Sequence, residues 1–219
     1  MSFNLQPILE GSLLSLRPLR PGDFHDLYAV ASDPLIWEQH PNSDRYKEEV
    51  FKGFFRNALE SGGALIAIDN KYGRVIGSSR FHAYSEEKSE IEIGWTFLAR
   101  SHWGGIYNGE MKQLMLRHAF QFVNGVIFVI GAQNLRSQKA IEKIGGIRVG
   151  SRVDASGREN VVYQIAKKRA EIVSIVISEP FSGAFSSSVR ATTRYGESPR
   201  VFHSARRQFA LKTDGAALR

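Results

Sequence analysis

Residues 97–111 hold the combination of types and spacing best suited to binding a ligand. A strand pattern ends at Phe97 and Leu98. The turn Trp103-Gly104-Gly105-Ile106-Tyr107-Asn108 follows, and helical periodicity takes over toward Met111. Successive backbone N–H groups at a helix start form a cradle for an anion, and the helix dipole favours phosphate there. Glycines allow close approach of the backbone to such a ligand. The junction lacks the Gly-Lys-Ser/Thr of a Walker loop, and its glycines are misplaced for a dinucleotide fingerprint. The competing reading is a strand-to-helix turn with a structural role only. Other chemistries are narrowed by composition. The chain has no Cys, which excludes a cysteine nucleophile, a thiolate metal site and a disulfide scaffold. His25, His40, His82, His102, His118 and His203 are scattered without a two-histidine ligand spacing, so no metal is expected.

The elements that must position this junction follow from apolar periodicity. Leu13–Leu19 reads as an opening strand. Pro21-Gly22-Asp23 starts a helix whose face is Phe24, Leu27, Tyr28 and Ala31, broken at Asp33-Pro34. Asp44 is expected to cap a second helix that buries Phe51, Phe54, Phe55 and Ala58 and stops before Gly62. Ala64–Asp69 and Val75–His82 form a hairpin around Asn70-Lys71-Tyr72-Gly73. Glu90–Leu98 alternates strictly, which predicts Ile91, Ile93, Trp95 and Phe97 on one face and Glu90, Glu92, Gly94 and Thr96 on the other. A helix with Met111, Leu114, Met115, Ala119 and Phe122 inward leads to the apolar strand Val126–Ala132. Asn134 is placed to cap a further helix, with Ser137, Ala140, Ile141 and Ile144 on one face and Gly145-Gly146 beyond it. Ile147–Val153 and Val161–Ile165 close the domain around Asp154-Ala155-Ser156-Gly157. The predicted class is α/β: a mixed sheet with helices on both faces and one right-handed parallel strand-helix-strand crossover.

The length of 219 residues suits one domain with an extension: residues 1–172 as the domain and 173–219 as a basic, Ser/Arg-rich tail expected to be disordered, with a strand pattern at Ile172–Ile177. The net charge of +7 is unevenly placed: seven Lys/Arg against three Asp/Glu lie from Val173 onward. The domain itself is therefore weakly basic, which argues against a nucleic-acid role for it. Arg190, Arg194, Arg200, Arg206 and Arg207 leave a nucleic-acid-binding tail as one rival reading. The start lacks a basic and then apolar leader, and no apolar run is long enough for a bilayer. A cytoplasmic location without membrane attachment is expected.

The junction resembles motif A of the GNAT N-acetyltransferases, Gln/Arg-x-x-Gly-x-Gly/Ala, with Trp103, Ile106 and Asn108 at its defined positions. The strand Glu92-Ile93-Gly94-Trp95-Thr96-Phe97-Leu98, the helix Asn134 to Gly145, and the hairpin with Gly157-Arg158 and Val161-Val162-Tyr163 resemble the branch that includes the ribosomal-protein N-acetyltransferases. The resemblance spans roughly residues 10–168. It implies a GNAT-like central sheet, mixed and largely antiparallel. It implies transfer of acetyl from acetyl-CoA, without a metal, to a primary amine: a protein N-terminus or a small molecule. The route is direct attack on the thioester.

Carried onto this sequence, the resemblance places the cofactor on Trp103, Gly104, Gly105, Ile106, Tyr107, Asn108 and Gly109. Backbone N–H groups near Phe97 and Leu98 would polarise the thioester carbonyl. Asn134 would contact the pantetheine arm and Ser137 the leaving thiolate. Glu92 would accept the amine proton, with Glu90 a weaker candidate. Trp37, His40, Tyr46 and His82 fall on the acceptor side, and Tyr163 near the acyl site or in the core. Ile106 stands at a glycine position of the motif, where a β-branched residue is expected to crowd the cradle. That crowding supports a second rival, a non-catalytic GNAT-fold module with weakened cofactor binding. A homodimer is compatible with the resemblance.

Overall fold

The computed structural model describes residues 2–167; the predicted strand at Ile172–Ile177 and the extension 173–219 lie outside them. Eight strands form one sheet. They are β1 (Leu9–Glu10), β2 (Leu14–Pro18), β3 (Ala64–Asp69), β4 (Arg74–Ser85), β5 (Glu90–Leu98), β6 (Gly125–Gly131), β7 (Ile147–Val153) and β8 (Glu159–Ala166). Their order across the sheet is β1-β2-β3-β4-β5-β6-β8-β7. All neighbours are antiparallel except β5 and β6, which the crossover helix forces into parallel pairing.

Helices cover both faces. α1 (Phe24–Ala31) and α2 (Glu48–Glu60) bury Leu27, Ala31, Phe51, Phe55 and Ala58 with Ile66 and Phe97. α3 (Ile106–Ala119) and α4 (Leu135–Lys143) pack Met111, Leu114, Met115 and Ile141 against the other face with Ile91, Ile93 and Val126. The hairpin between β3 and β4 turns at Gly73 in the left-handed region, as its sequence predicts.

Four local expectations are corrected. Asp44 does not cap α2; that helix starts one turn later at Glu48, after Lys47, and Asp44 instead closes a turn through its carbonyl. Phe122 lies beyond α3, yet packs on the same core. The helix of the ligand junction begins at Ile106, with Gly105 as N-cap, so Ile106, Tyr107 and Asn108 are its first turn and not part of the preceding loop. Finally, β5 does not alternate strictly. Ser78 faces Phe97 and Arg80 faces Gly94, so Trp95 and Thr96 together oppose Ser79 in a β-bulge. Trp95 takes a φ of +51°, strained for a bulky residue. Ile91, Ile93 and Leu98 consequently join the α3-side core, whereas Phe97 joins the α2-side core.

Short β1 was not anticipated, and it matters for the junction. Glu110, one turn into α3, accepts the backbone N–H groups of Ser12, Leu13 and Leu14 at 2.8, 2.8 and 2.9 Å. Gly11 leaves the room for it: a Cβ there would stand 2.7 Å from the Glu110 carboxyl carbon. Glu110→Ala is expected to cost about 2–3 kcal/mol, because a charged acceptor of several backbone donors is lost. The urea unfolding midpoint checks this; an unchanged midpoint would show that the tether contributes nothing.

Candidate active site

The bulge decides where the sheet opens. β5 and β6 pair only at Glu90–Gly125, Ile91–Val126 and Glu92–Ile127. Beyond Glu92 they diverge, and the opening is a cavity of about 670 Å³. Its walls are the second half of β5, the end of β6, the starts of α3 and α4, and the segment 36–45. At one end lies the glycine turn, where Gly104 takes a φ of +67° and no side chain caps α3. The first-turn N–H groups of α3 are thus left for another partner.

The sequence-predicted residues separate into two groups. Glu92, Phe97, Leu98, Trp103, Gly104 and Asn108 line the cavity from β5 and the turn after it. Asn134 and Ser137 line it from the start of α4, and Trp37, His40 and His82 from the opposite wall. The Asn134 carboxamide oxygen caps α4 by accepting the Ser137 N–H at 3.2 Å. The buried Trp37 indole donates to the Ala31 carbonyl at 2.7 Å and packs on Phe97, so this tryptophan is largely core. His40 accepts the Asn42 N–H at 2.9 Å. Burial, with Arg45 and Arg158 beside it, pushes its pKa down to about 3, so the ring is neutral. His82 rests edge-on against Trp95.

The rest do not line the cavity. Tyr46 packs against the α1–α2 core. Tyr107 turns away, its hydroxyl 3.4 Å from Asp69 and its ring against His102. Tyr163 is core, donating to Glu142 at 2.8 Å. Glu90 accepts from Gln164 at 2.7 Å. Gly105, Ile106 and Gly109 bring only backbone near the cradle. The crowding expected at Ile106 does not arise: the residue is helical and its side chain is 67% exposed. The position that needs glycine is Gly104. Ile106→Gly is therefore expected to leave the acetyl-CoA dissociation constant within about twofold and to cost about 0.5–1 kcal/mol of stability. Calorimetric titration and thermal melts check both; a tenfold tighter complex would restore the crowded cradle.

The sequence model of the acetyltransferase (GNAT) domain matches residues 14–147. The chain belongs to the GNAT acetyltransferase family. No curated protein matches it. Among solved structures, a putative acetyltransferase from T. thermophilus is 28% identical, with a TM-score of 0.64 over 78% of this chain and 94% of the other. Mycobacterium smegmatis RimJ in complex with CoA-disulfide is 16% identical, with a TM-score of 0.58 over 78% and 93%. A spermidine N-acetyltransferase from Vibrio cholerae in complex with CoA and spermine is 14% identical, with a TM-score of 0.58 over 74% and 99%. These last two share the fold.

As a GNAT acetyltransferase the chain transfers acetyl from acetyl-CoA, and its own residues fit that donor. The uncapped α3 start offers backbone N–H groups for a pyrophosphate. Arg136 stands beside it, its guanidinium carbon 4.1 Å from the centre of the Trp103 ring. Among the described residues no cluster of three metal-ligating side chains occurs, and no helix is long and apolar enough to cross a membrane.

Among the cavity residues that sequence reasoning missed are Lys112 and Arg152. Lys112 on α3 is buried beneath the bulge, donating to Thr96 Oγ1 and, at 3.4 Å, to Ser79 Oγ. Desolvation lowers its pKa to about 7. A signal was available: Asn108, Lys112, Met115 and Ala119 share one helical stripe, and the last two are apolar. Arg152 on β7 was also missed; it reaches Glu92 Oε2 at 3.0 Å. No local signal marks it, because the pairing spans 60 residues.

Proposed function

We propose that the chain is an N-acetyltransferase in which the acceptor amine attacks the acetyl-CoA thioester directly, with the acetyl group placed in the opening between β5 and β6. The observation that carries this reading is Glu92. It is 8% exposed, it lines the cavity where the strands part, and only its Oε2 is engaged by Arg152. An ammonium acceptor gives its proton to Glu92, directly or through water, and becomes a nucleophile. A bond forms from its nitrogen to the acetyl carbon, the carbon–sulfur bond breaks, and the second proton shed by the nitrogen passes to the departing thiolate. Backbone N–H groups around Phe97 and Leu98, which have no β6 partner, are placed to stabilise charge on the carbonyl oxygen. Ser137 Oγ has no hydrogen-bond partner among the described residues and lines the same cavity, which suits it to meet the departing thiolate.

Primary amines offered with acetyl-CoA, read by free-thiol release and by mass of the product, test this. An acetylated amine is the expected product. Tight acetyl-CoA binding with no transfer to any amine, or transfer only to hydroxyls, would overturn it. Residues 1–172 are proposed as the catalytic domain.

A further inference from the structure

The acceptor side of the cavity carries more positive charge than its carboxylates balance. Of the four arginines that line the cavity, Arg136 stacks on Trp103 by the start of α3, and Arg45, Arg152 and Arg158 line the rest of it. The carboxylates lining it are Glu92 and Asp154. Arg152 pairs with Glu92 at 3.0 Å and Arg158 with Asp154 at 3.7 Å. Arg45 is left over. Its guanidinium lies 4.6 Å from the centre of the Phe54 ring and 5.5 Å from that of Trp37, and 3.2 Å from His40 Nε2. Arg80, 2% exposed, also stands by Phe54, 5.8 Å from the same ring. Arg80 donates to Asn57 at 2.9 Å, but its Nε and Nη2 are buried without a partner. Neither Arg45 nor Arg80 has a carboxylate within ion-pair distance among the described residues.

Two neighbouring guanidinium groups with no paired carboxylate, Arg45 having only the more distant Asp44 as counter-charge, are costly to hold in a partly dry site. Stacking on aromatic faces returns only part of that cost. An arginine fork is shaped to receive a carboxylate. His40, beside Arg45, is neutral and adds no competing anion or cation.

We propose that the acceptor of this acetyltransferase is a primary amine whose molecule carries a carboxylate, and that Arg45 receives that carboxylate. The inference rests on amine acetylation as read above and adds the class of amine. It disfavours polycationic amines, which would meet unbalanced positive charge on the acceptor wall.

Matched acceptors test it, with acetyl-CoA saturating and thiol release as readout. One arm compares phenylalanine with phenylalaninamide, which isolates an α-carboxylate. The other compares Asp-Ala-Ala-amide with Asn-Ala-Ala-amide, which isolates an acidic N-terminal side chain. Spermidine serves as the cationic control. The carboxylate member of at least one pair should be favoured at least about tenfold in kcat/KM, and the pair that shows it identifies the source. Arg45→Gln should abolish that preference, through KM of the acceptor, with KM for acetyl-CoA unchanged. Arg45→Lys should keep part of it, and guards against a variant that merely unfolds. Equal use of both members of each pair, or a preference for spermidine, would overturn the proposal while leaving amine acetylation standing. Acetylation of no amine at all would fail the underlying reading instead.

Discussion

Glu92→Gln is expected to lower kcat by about 10²–10⁴-fold while leaving acetyl-CoA affinity within about twofold. Glutamine keeps the shape and can still accept from Arg152, so the salt-bridged wall is preserved in form. What it loses is the capacity to take a proton. The change therefore falls on the chemical step and not on cofactor binding. Pre-steady-state thiol release with a saturating acceptor measures it, and the pH dependence adds a second readout. Wild-type turnover across pH would remove Glu92 from the reaction.

The second large effect concerns stability. Lys112 is buried without a paired carboxylate among the described residues, and desolvation lowers its pKa to about 7, against about 10.5 in the unfolded chain. Between those values the unfolded chain binds more protons, so stability rises with pH. Below about 7 both states are protonated and the full burial penalty applies. Each pH unit in the window is worth up to about 1.4 kcal/mol, which gives a gain of about 2 kcal/mol from pH 7 to 9. Lys112→Met should remove this rise and be more stable than the wild type at pH 7. Ser79 and Thr96 lie 2.8 Å apart and satisfy each other once the ammonium is gone. Denaturant titrations of both proteins at pH 7 and 9 decide the matter. Parallel pH dependence in the two would show that the lysine is hydrated in solution.

The order of elements and both helical faces were legible because apolar periodicity is a local property. The Ala64–Asp69 hairpin partner, the crossover and the closing hairpin all followed from it. The bulge at Trp95 and Thr96 was not legible. A tryptophan in the left-handed region is held there by its surroundings and not by its own preference: the next residue, Thr96, is bonded to Ser79 and Lys112, and the Trp95 ring meets His82 and Arg80. Strict alternation therefore put Trp95 and Phe97 on the face of Ile91 and Ile93, where the fold does not place them. The glycine turn was legible as a turn into a helix, but the residue whose backbone needs freedom was misplaced. Gly104 supplies the left-handed turn, and the helix begins soon enough that Ile106 needs only ordinary helical backbone. The arginines of the cavity were hardest to foresee. Arg45 comes from the loop before α2 and Arg152 and Arg158 from the closing hairpin, with Arg80 buried nearby on β4, and nothing in a linear pattern marks three distant segments as neighbours.

Where β5 and β6 part, the protein carries two sheet edges inside itself. From Ile93 to Leu98, β5 is paired only on its β4 side, and from Phe128 to Gly131, β6 is paired only on its β8 side. Edges of this kind are templates for a stray strand, and most proteins blunt them at their rims. Here the blunting is internal. Pro41, which has no N–H to offer, packs so closely on Gly131 that a Cβ there would stand 2.7 Å from its ring. A foreign strand approaching β6 at that end meets a proline ring before it meets a free carbonyl. The opening between β5 and β6 is thereby closed at that end to another polypeptide.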